Sequence, residues 1–137
     1  MQRSLELCAV IAAWFDSVAY GDSSWVDRHV SRQAGVRLVG TDQDEGLVGE
    51  AVLAFLREEV EAMGRVVQVW LSHVEAYQEG DVGWGLAHPT LTLPNGKQFS
   101  PRWSAVFHRE DGAWKLVQLH ASVRIPNEEL LGMAITG

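Results

Sequence analysis

The chain has 137 residues, enough for one domain built around one core. Eighteen acidic residues against eleven basic ones give a net charge of −7, with no basic run, which disfavours nucleic-acid binding by phosphate neutralisation. A single cysteine, Cys8, builds no disulfide framework and reads as a buried reduced thiol of a cytoplasmic protein.

Taken from the start, residues 3–20 carry a helical stripe of Leu7, Ile11, Trp14 and Val18, flanked by Cys8, Phe15 and Ala19. Ser4 can cap its start, and Gly21 supplies the stop. The apolar run 9–15 lies between Glu6 and Asp16 and is too short to span a membrane. It also lacks the basic flank and cleavage site of a signal peptide, so no membrane association is expected. Asp22, Ser23 or Ser24 then caps a short second helix through Trp25, Val26, His29 and Val30.

Residues 35–40 read as a short strand between glycines, and residues 41–49 as a loop holding Asp42, Asp44 and Glu45. A third helix covers Glu50 to Met63, with Val52, Leu56 and Val60 on its apolar stripe and Phe55 and Met63 beside it. Arg57, Glu58, Glu59 and Glu61 are assigned to its solvated side. From Arg65 the period switches to two. Strands over 66–77 and 82–93 flank a Glu79-Gly80-Asp81 turn, with Pro89 expected at a bulge or edge. Residues 94–97 form a second turn, and the tail from Pro126 reads as a short helix.

Residues 102–122 carry the strongest local signal: two apolar-alternating runs around Asp111-Gly112, a β-hairpin. Its register decides which side chains share a face. A two-residue loop would pair Glu110 with Ala113 and mix Trp103 and Phe107 with Gln118, His120 and Ser122. A three-residue loop would pair Arg109 with Ala113 and sort the faces more cleanly, so that register is expected. Trp103, Ala105 and Phe107 would then share one face with Val117, Leu119 and Ala121. The other face would hold Arg102, Ser104, Val106 and His108 beside Trp114, Leu116, Gln118, His120 and Ser122, and Arg102 would lie opposite His120. That mixed, lightly charged face suits a wet protein–protein interface. Helices that precede a run of antiparallel strands indicate an α+β fold, with no repeat or linker to divide the chain.

The pattern resembles the nuclear transport factor 2-like superfamily in its SnoaL-like bacterial branch. The resemblance is carried by Ala19-Tyr20-Gly21-Asp22, by Val39-Gly40-Thr41-Asp42 with Glu45, by residues 79–84, and by the 102–122 hairpin. It implies a single domain over residues 1–137: a cone-shaped barrel with a curved antiparallel sheet wrapped on three N-terminal helices. It also implies homodimers formed through the outer sheet face, here Arg102, Ser104, Trp114, Gln118, His120 and Ser122. Inward-facing Gly83, Gly85 and Ala87 would leave room for a ligand, unless helix side chains fill that space.

The expected function is a homodimer that binds a small apolar or aromatic ligand inside the cone, against Trp14, Asp42, Phe55, Trp103, Phe107 and Leu119. The resemblance also admits an isomerase, cyclase or dehydratase acting on a small carbonyl compound. Such chemistry needs a desolvated acid–base group, and the inward strand positions carry no Asp or Glu, which leaves Asp42 and His29 as candidates. A protein–protein interaction module is the third reading. No cofactor is implied, and no spacing suits a metal.

Overall fold

The computed structural model describes residues 1–41, 46–123, 129 and 132; the expected terminal helix lies largely outside them. Helix α1 (Leu5–Tyr20) begins where the Leu7 amide donates to Ser4 Oγ at 3.1 Å and ends at Gly21, with φ 72°. Leu7, Ile11, Trp14 and Val18 are all buried, as their spacing requires. Helix α2 (Ser24–His29) starts where the Ser24 amide donates to Asp22 Oδ1 at 3.0 Å, a bond that holds the Asp22 carboxyl below its ordinary pKa. Trp25 Nε1 donates to the Val10 carbonyl at 2.9 Å and ties α2 to α1. Helix α3 (Glu50–Met63) buries Val52, Leu56 and Val60. Asp27 of α2 pairs with Arg57 of α3.

The strands are β1 (Gln2–Arg3), β2 (Arg37–Val39), β3 (Gly46–Val48), β4 (Gln68–Glu79), β5 (Val82–Thr92), β6 (Gln98–Phe99), β7 (Arg102–Glu110) and β8 (Ala113–Ser122). They form one sheet in the order β1-β4-β5-β7-β8-β2-β3, with β6 paired to β5. Its inner face wraps the helices in an α+β arrangement. Residues 46–48, expected within a loop, instead pair antiparallel with β2, and β2 runs parallel to β8. Asp42, Gln43, Asp44 and Glu45 lie outside the described residues. Pro89 pairs with Leu71 beside a bulge that leaves Ser72 unpaired, in line with its expected place.

The hairpin starts in the two-residue register and, beyond a bulge, has the face sorting expected of the three-residue register but not its pairs. Its loop has two residues, Asp111 (φ 51°) and Gly112 (φ 79°), and Glu110 pairs with Ala113. Two successive positive φ values are what a type I′ turn demands. Pairing stays in step to Phe107–Leu116, then a bulge at Val117 shifts it to Val106–Gln118. Beyond the bulge Trp103 faces Ala121 and Ala105 faces Leu119, on the inner side as expected. Arg102 lies opposite Ser122, and His120 opposite Ser104, which corrects the expected Arg102–His120 pair. Before the bulge the phase is reversed. Trp114 (1% exposed) and Leu116 are core residues, so Trp114 does not belong to an outer interface. Arg109 lies 4.3 Å from the centre of the Trp114 ring.

Magnitudes explain the bulge. It forgoes about one ladder hydrogen bond, worth roughly 1 kcal/mol net. Without it, either Trp114 and Leu116 or Leu119 and Ala121 would face out, and each large side chain contributes about 1.5–3 kcal/mol on burial.

Where α1 and α3 end, Gly21 and Gly64 touch backbone to backbone. A Cβ at Gly64 would lie 2.1 Å from Gly21 Cα. Gly64→Ala should therefore destabilise the fold by about 2–4 kcal/mol in chemical denaturation. Gly35→Ala, where a Cβ meets nothing within 4 Å, should change stability by less than about 0.5 kcal/mol. Equal effects at the two positions would contradict this packing.

Candidate functional site: an aromatic-walled cavity

The inner face is divided by α1. Its N-terminal half fills the cone near the hairpin turn: a Cβ on Gly83 would lie 2.6 Å from Leu7 Cδ2, and one on Gly85 2.2 Å from Ile11 Cδ1. The small residues of β5 do face inward, but they make room for these two side chains and not for a ligand. Phe107, a sequence-level ligand candidate, is fully buried there and lies outside the cavity wall.

The C-terminal half of α1 leaves space. A cavity of about 150 Å³ opens between Trp14, Phe15 and Val18 of α1, Phe55, Glu59 and Met63 of α3, and the far ends of the strands. Trp103 of β7 and Leu119 and Ala121 of β8 supply the sheet wall, with Pro89 and Leu91 of β5. Val39, Gly40 and Thr41 border it on the β2 side, with Phe99 and Pro101 also in the wall. Val39 and Phe99 are partly exposed and form its mouth. Phe15 and Trp103 meet edge to face at 5.4 Å between ring centres, and Trp14 tilts against Trp25 at 5.1 Å. Such contacts hold the wall rings in fixed orientations.

Of the expected ligand residues, the structure brings together Trp14, Phe55, Trp103 and Leu119; Asp42 lies outside the described residues. Glu59 was missed. It is half-buried in the wall, four residues after Phe55 and four before Met63, so all three share one face of α3. That spacing was the available signal: the stripe of Phe55 and Met63 passes through Glu59.

His29, the other catalytic candidate, is elsewhere. Its Nδ1 lies 3.0 Å from the Trp114 carbonyl oxygen, which can only accept, so Nδ1 carries the proton. Its ring sits 5.3 Å from that of Trp25, and it takes no part in the cavity wall. It packs between α2 and β8, away from the wall of this cavity. Among the described residues no group of three or more His, Cys, Asp or Glu is placed to hold a metal ion.

On the opposite sheet face, Arg102, Ser104, Gln118 and His120 are exposed, as expected of that set, and Ser122 is half-exposed. Glu75, Tyr77, Trp84, Leu86 and Val106 join Ser104 and Gln118 around a shallow groove. The rings of His73 and His88 lie 5.3 Å apart on neighbouring strands. Trp70 is 70% exposed.

Burial lowers the His29 pKa below 6.5, opposed by its bond to the Trp114 carbonyl and reinforced by the charges of Arg28 and Lys115. The unfolded chain then binds this proton more tightly than the folded one. The stability that His29 contributes is complete above pH 6.5 and is lost as pH falls from 6.5 through the lower folded value. His29→Gln should remove that dependence, giving a flatter profile of denaturation midpoint between about pH 7 and pH 5. An unchanged slope in the variant would contradict the assignment.

The sequence matches the family model for the SnoaL-like domain over residues 7–126. No curated protein sequence matches it. Among solved structures it is similar to an NTF2-like protein of unknown function from Pseudomonas putida KT2440. The TM-score is 0.74 at 16% identity, covering 90% of this chain and 87% of that one. It is also similar to the association domain of C. elegans CaMKII (TM-score 0.67, 15% identity, 86% and 93% covered). A third is a protein of the NTF2-like family from Streptomyces avermitilis, provisionally described as a dehydratase (TM-score 0.69, 20% identity, 88% and 95% covered). At these identities the structural likenesses carry the fold alone. With the family model spanning most of the chain, this protein belongs to the SnoaL-like domain family and has the NTF2-like fold.

Proposed function

We propose that the protein is a homodimer that binds a small one-ring ligand in the cavity beside the C-terminal half of α1. The observation that carries this reading is the cavity itself, about 150 Å³ with a largely aromatic and aliphatic wall. An apolar cavity of about that size accepts a benzene-sized guest. Binding to the folded state alone raises stability by mass action. Toluene or indole should therefore raise the melting temperature of the wild type. Ala121→Phe, which fills the cavity from the sheet wall, should abolish that rise while the protein stays folded. No shift with either compound in the wild type would contradict the reading.

The dimer is supported by the outer sheet face, where Trp84, Leu86 and Val106 lie among polar groups such as Ser104 and Gln118. An apolar centre with a polar rim is the composition of a protein–protein interface. Domains with this fold also include the association domain of C. elegans CaMKII. Light scattering should give twice the 15.2 kDa chain mass for the wild type and a monomer for Val106→Arg. A wild-type monomer at micromolar concentration would contradict the dimer.

Glu59 favours a second reading, an isomerase or dehydratase, because a carboxylate beside apolar walls is the group that proton abstraction next to a carbonyl needs. On that reading the protein exchanges the α-protons of a one-ring ketone such as cyclohexanone with D2O, and Glu59→Gln abolishes the exchange. Exchange no faster than solvent would leave the binding reading alone.

A further inference from the structure

The histidines are unevenly placed. Of the five in the chain, His73, His88, His108 and His120 lie on β4, β5, β7 and β8 and point to the outer sheet face. Ala87, Phe107 and Leu119 are buried, so their neighbours His88, His108 and His120 face out, and His73 pairs with His88. This is the face along which two copies are taken to meet, a reading on which the inference here depends.

The carboxylates of this face are engaged within their own chain. Glu75 Oε2 lies 3.8 Å from His73 Nε2, and Glu79 Oε2 3.2 Å from the N-terminus. Glu110 accepts from Ser31 Oγ and lies 3.6 Å from His108 Nδ1. The outward-facing Arg37 and Arg102 have no carboxylate within ion-pair distance among the described residues. Although the chain carries −7, the unpaired charge at these positions is positive.

The neighbours of each imidazole decide what a proton does there. His120 stands opposite Ser104 on β7 and Val39 on β2, with Gln118 and Ser122 beside it on β8. Arg102 and Arg37 lie two residues away on those neighbouring strands, at the diagonal spacing of about 7–8 Å. Among the described residues no carboxylate faces His120 from either strand. His73 and His88 are directly opposed, with ring centres 5.3 Å apart, and share the single carboxylate of Glu75; Arg102 faces out beside His88 on β7. A first proton on that pair is compensated by Glu75 and a second is not. His108 lies between Val82 on β5 and Lys115 on β8, with Glu110 beside it, so its proton is compensated.

In a dimer through this face, each copy meets the same set of groups on its partner. Neutral imidazoles suit a polar rim around Trp84, Leu86 and Val106. Protonated ones add like charges to two facing surfaces from which contact removes water. We propose that the outer sheet face is an acid-sensitive dimer contact, in which protonation of His120 and of the His73–His88 pair drives the two copies apart.

The overall charge predicts the opposite trend. As pH falls toward the pI of about 5.1, the negative charge of each chain shrinks and general repulsion between copies fades. Charges spread over the rest of the molecule are screened over about 8 Å at physiological salt, whereas those inside the contact are not. Acid dissociation is therefore a signature of this face.

Sedimentation velocity of the intact chain at pH 8 and pH 6, both above the pI, tests this at constant ionic strength. The expected result is a dimer at pH 8 whose dissociation constant rises about tenfold or more at pH 6, because several sites take up protons on separation. His120→Gln keeps a polar side chain that takes no proton; it should stay dimeric at pH 8 and lose about half of that rise on a logarithmic scale. With His88→Gln added, the two constants should agree within about twofold. Far-ultraviolet circular dichroism should be unchanged between the two pH values; its loss in parallel with the dimer would assign the effect to unfolding and overturn the contact. If the wild-type dimer holds equally or tightens at pH 6, or the double variant keeps the full rise, acid sensitivity of this face is overturned while the dimer stands. If the wild type is a monomer at pH 8, the dimer reading itself fails and this inference fails with it.

Discussion

The extra residue at Val117 is the constraint on which the rest of this molecule depends. A type I′ turn at Asp111-Gly112 locks the end of the hairpin in one phase. In that phase Trp114 and Leu116 face the helices. Carried on unchanged, the same phase would turn Leu119 and Ala121 outward and bring Gln118 and His120 under the helices. One bulge reverses it, and both halves of β8 bury their apolar residues.

The two halves then serve different ends. Near the turn, Trp114, Leu116 and Phe107 meet Leu7 and Ile11 around the bare backbone of Gly83 and Gly85, and the cone is solid. Beyond the bulge, Trp103, Leu119 and Ala121 face the later turns of α1, where Trp14, Phe15 and Val18 are set back far enough to leave a cavity. The aromatic residues stand around the space, and Phe15 packs against Trp103 and Trp14 against Trp25. Close approach of Gly21 and Gly64 holds α1 and α3 together at that same end, and thereby holds Phe55, Glu59 and Met63 against the opening.

Much of this was legible in the residues. Ser4, Gly21, the 3.6-residue stripes and the Asp-Gly turn each have a local cause, and each element lies where that cause puts it. The hairpin phase was harder, because the turn chemistry favours one register and the apolar pattern favours another. Neither signal alone announces that a bulge satisfies both. Trp114 was misplaced for that reason. β3 was missed because three residues with a glycine first show no period, and their pairing partner β2 is supplied by tertiary contact. Glu59 was read as solvated because charge usually decides a helix face; the neighbours four residues away on each side carried the contrary information. The room around Gly83 and Gly85 could not be assigned from sequence, since its occupants come from a helix more than seventy residues earlier.

Cross-strand nuclear Overhauser contacts within the 102–122 hairpin measure this directly. The account predicts that Phe107 sees Leu116 and, in the same sample, that Trp103 sees Ala121 across the strand pair. A contact between Trp103 and the directly opposed backbone of His120 would mean that the strands run without the bulge, and would contradict both the filled region near the turn and the cavity beyond the bulge.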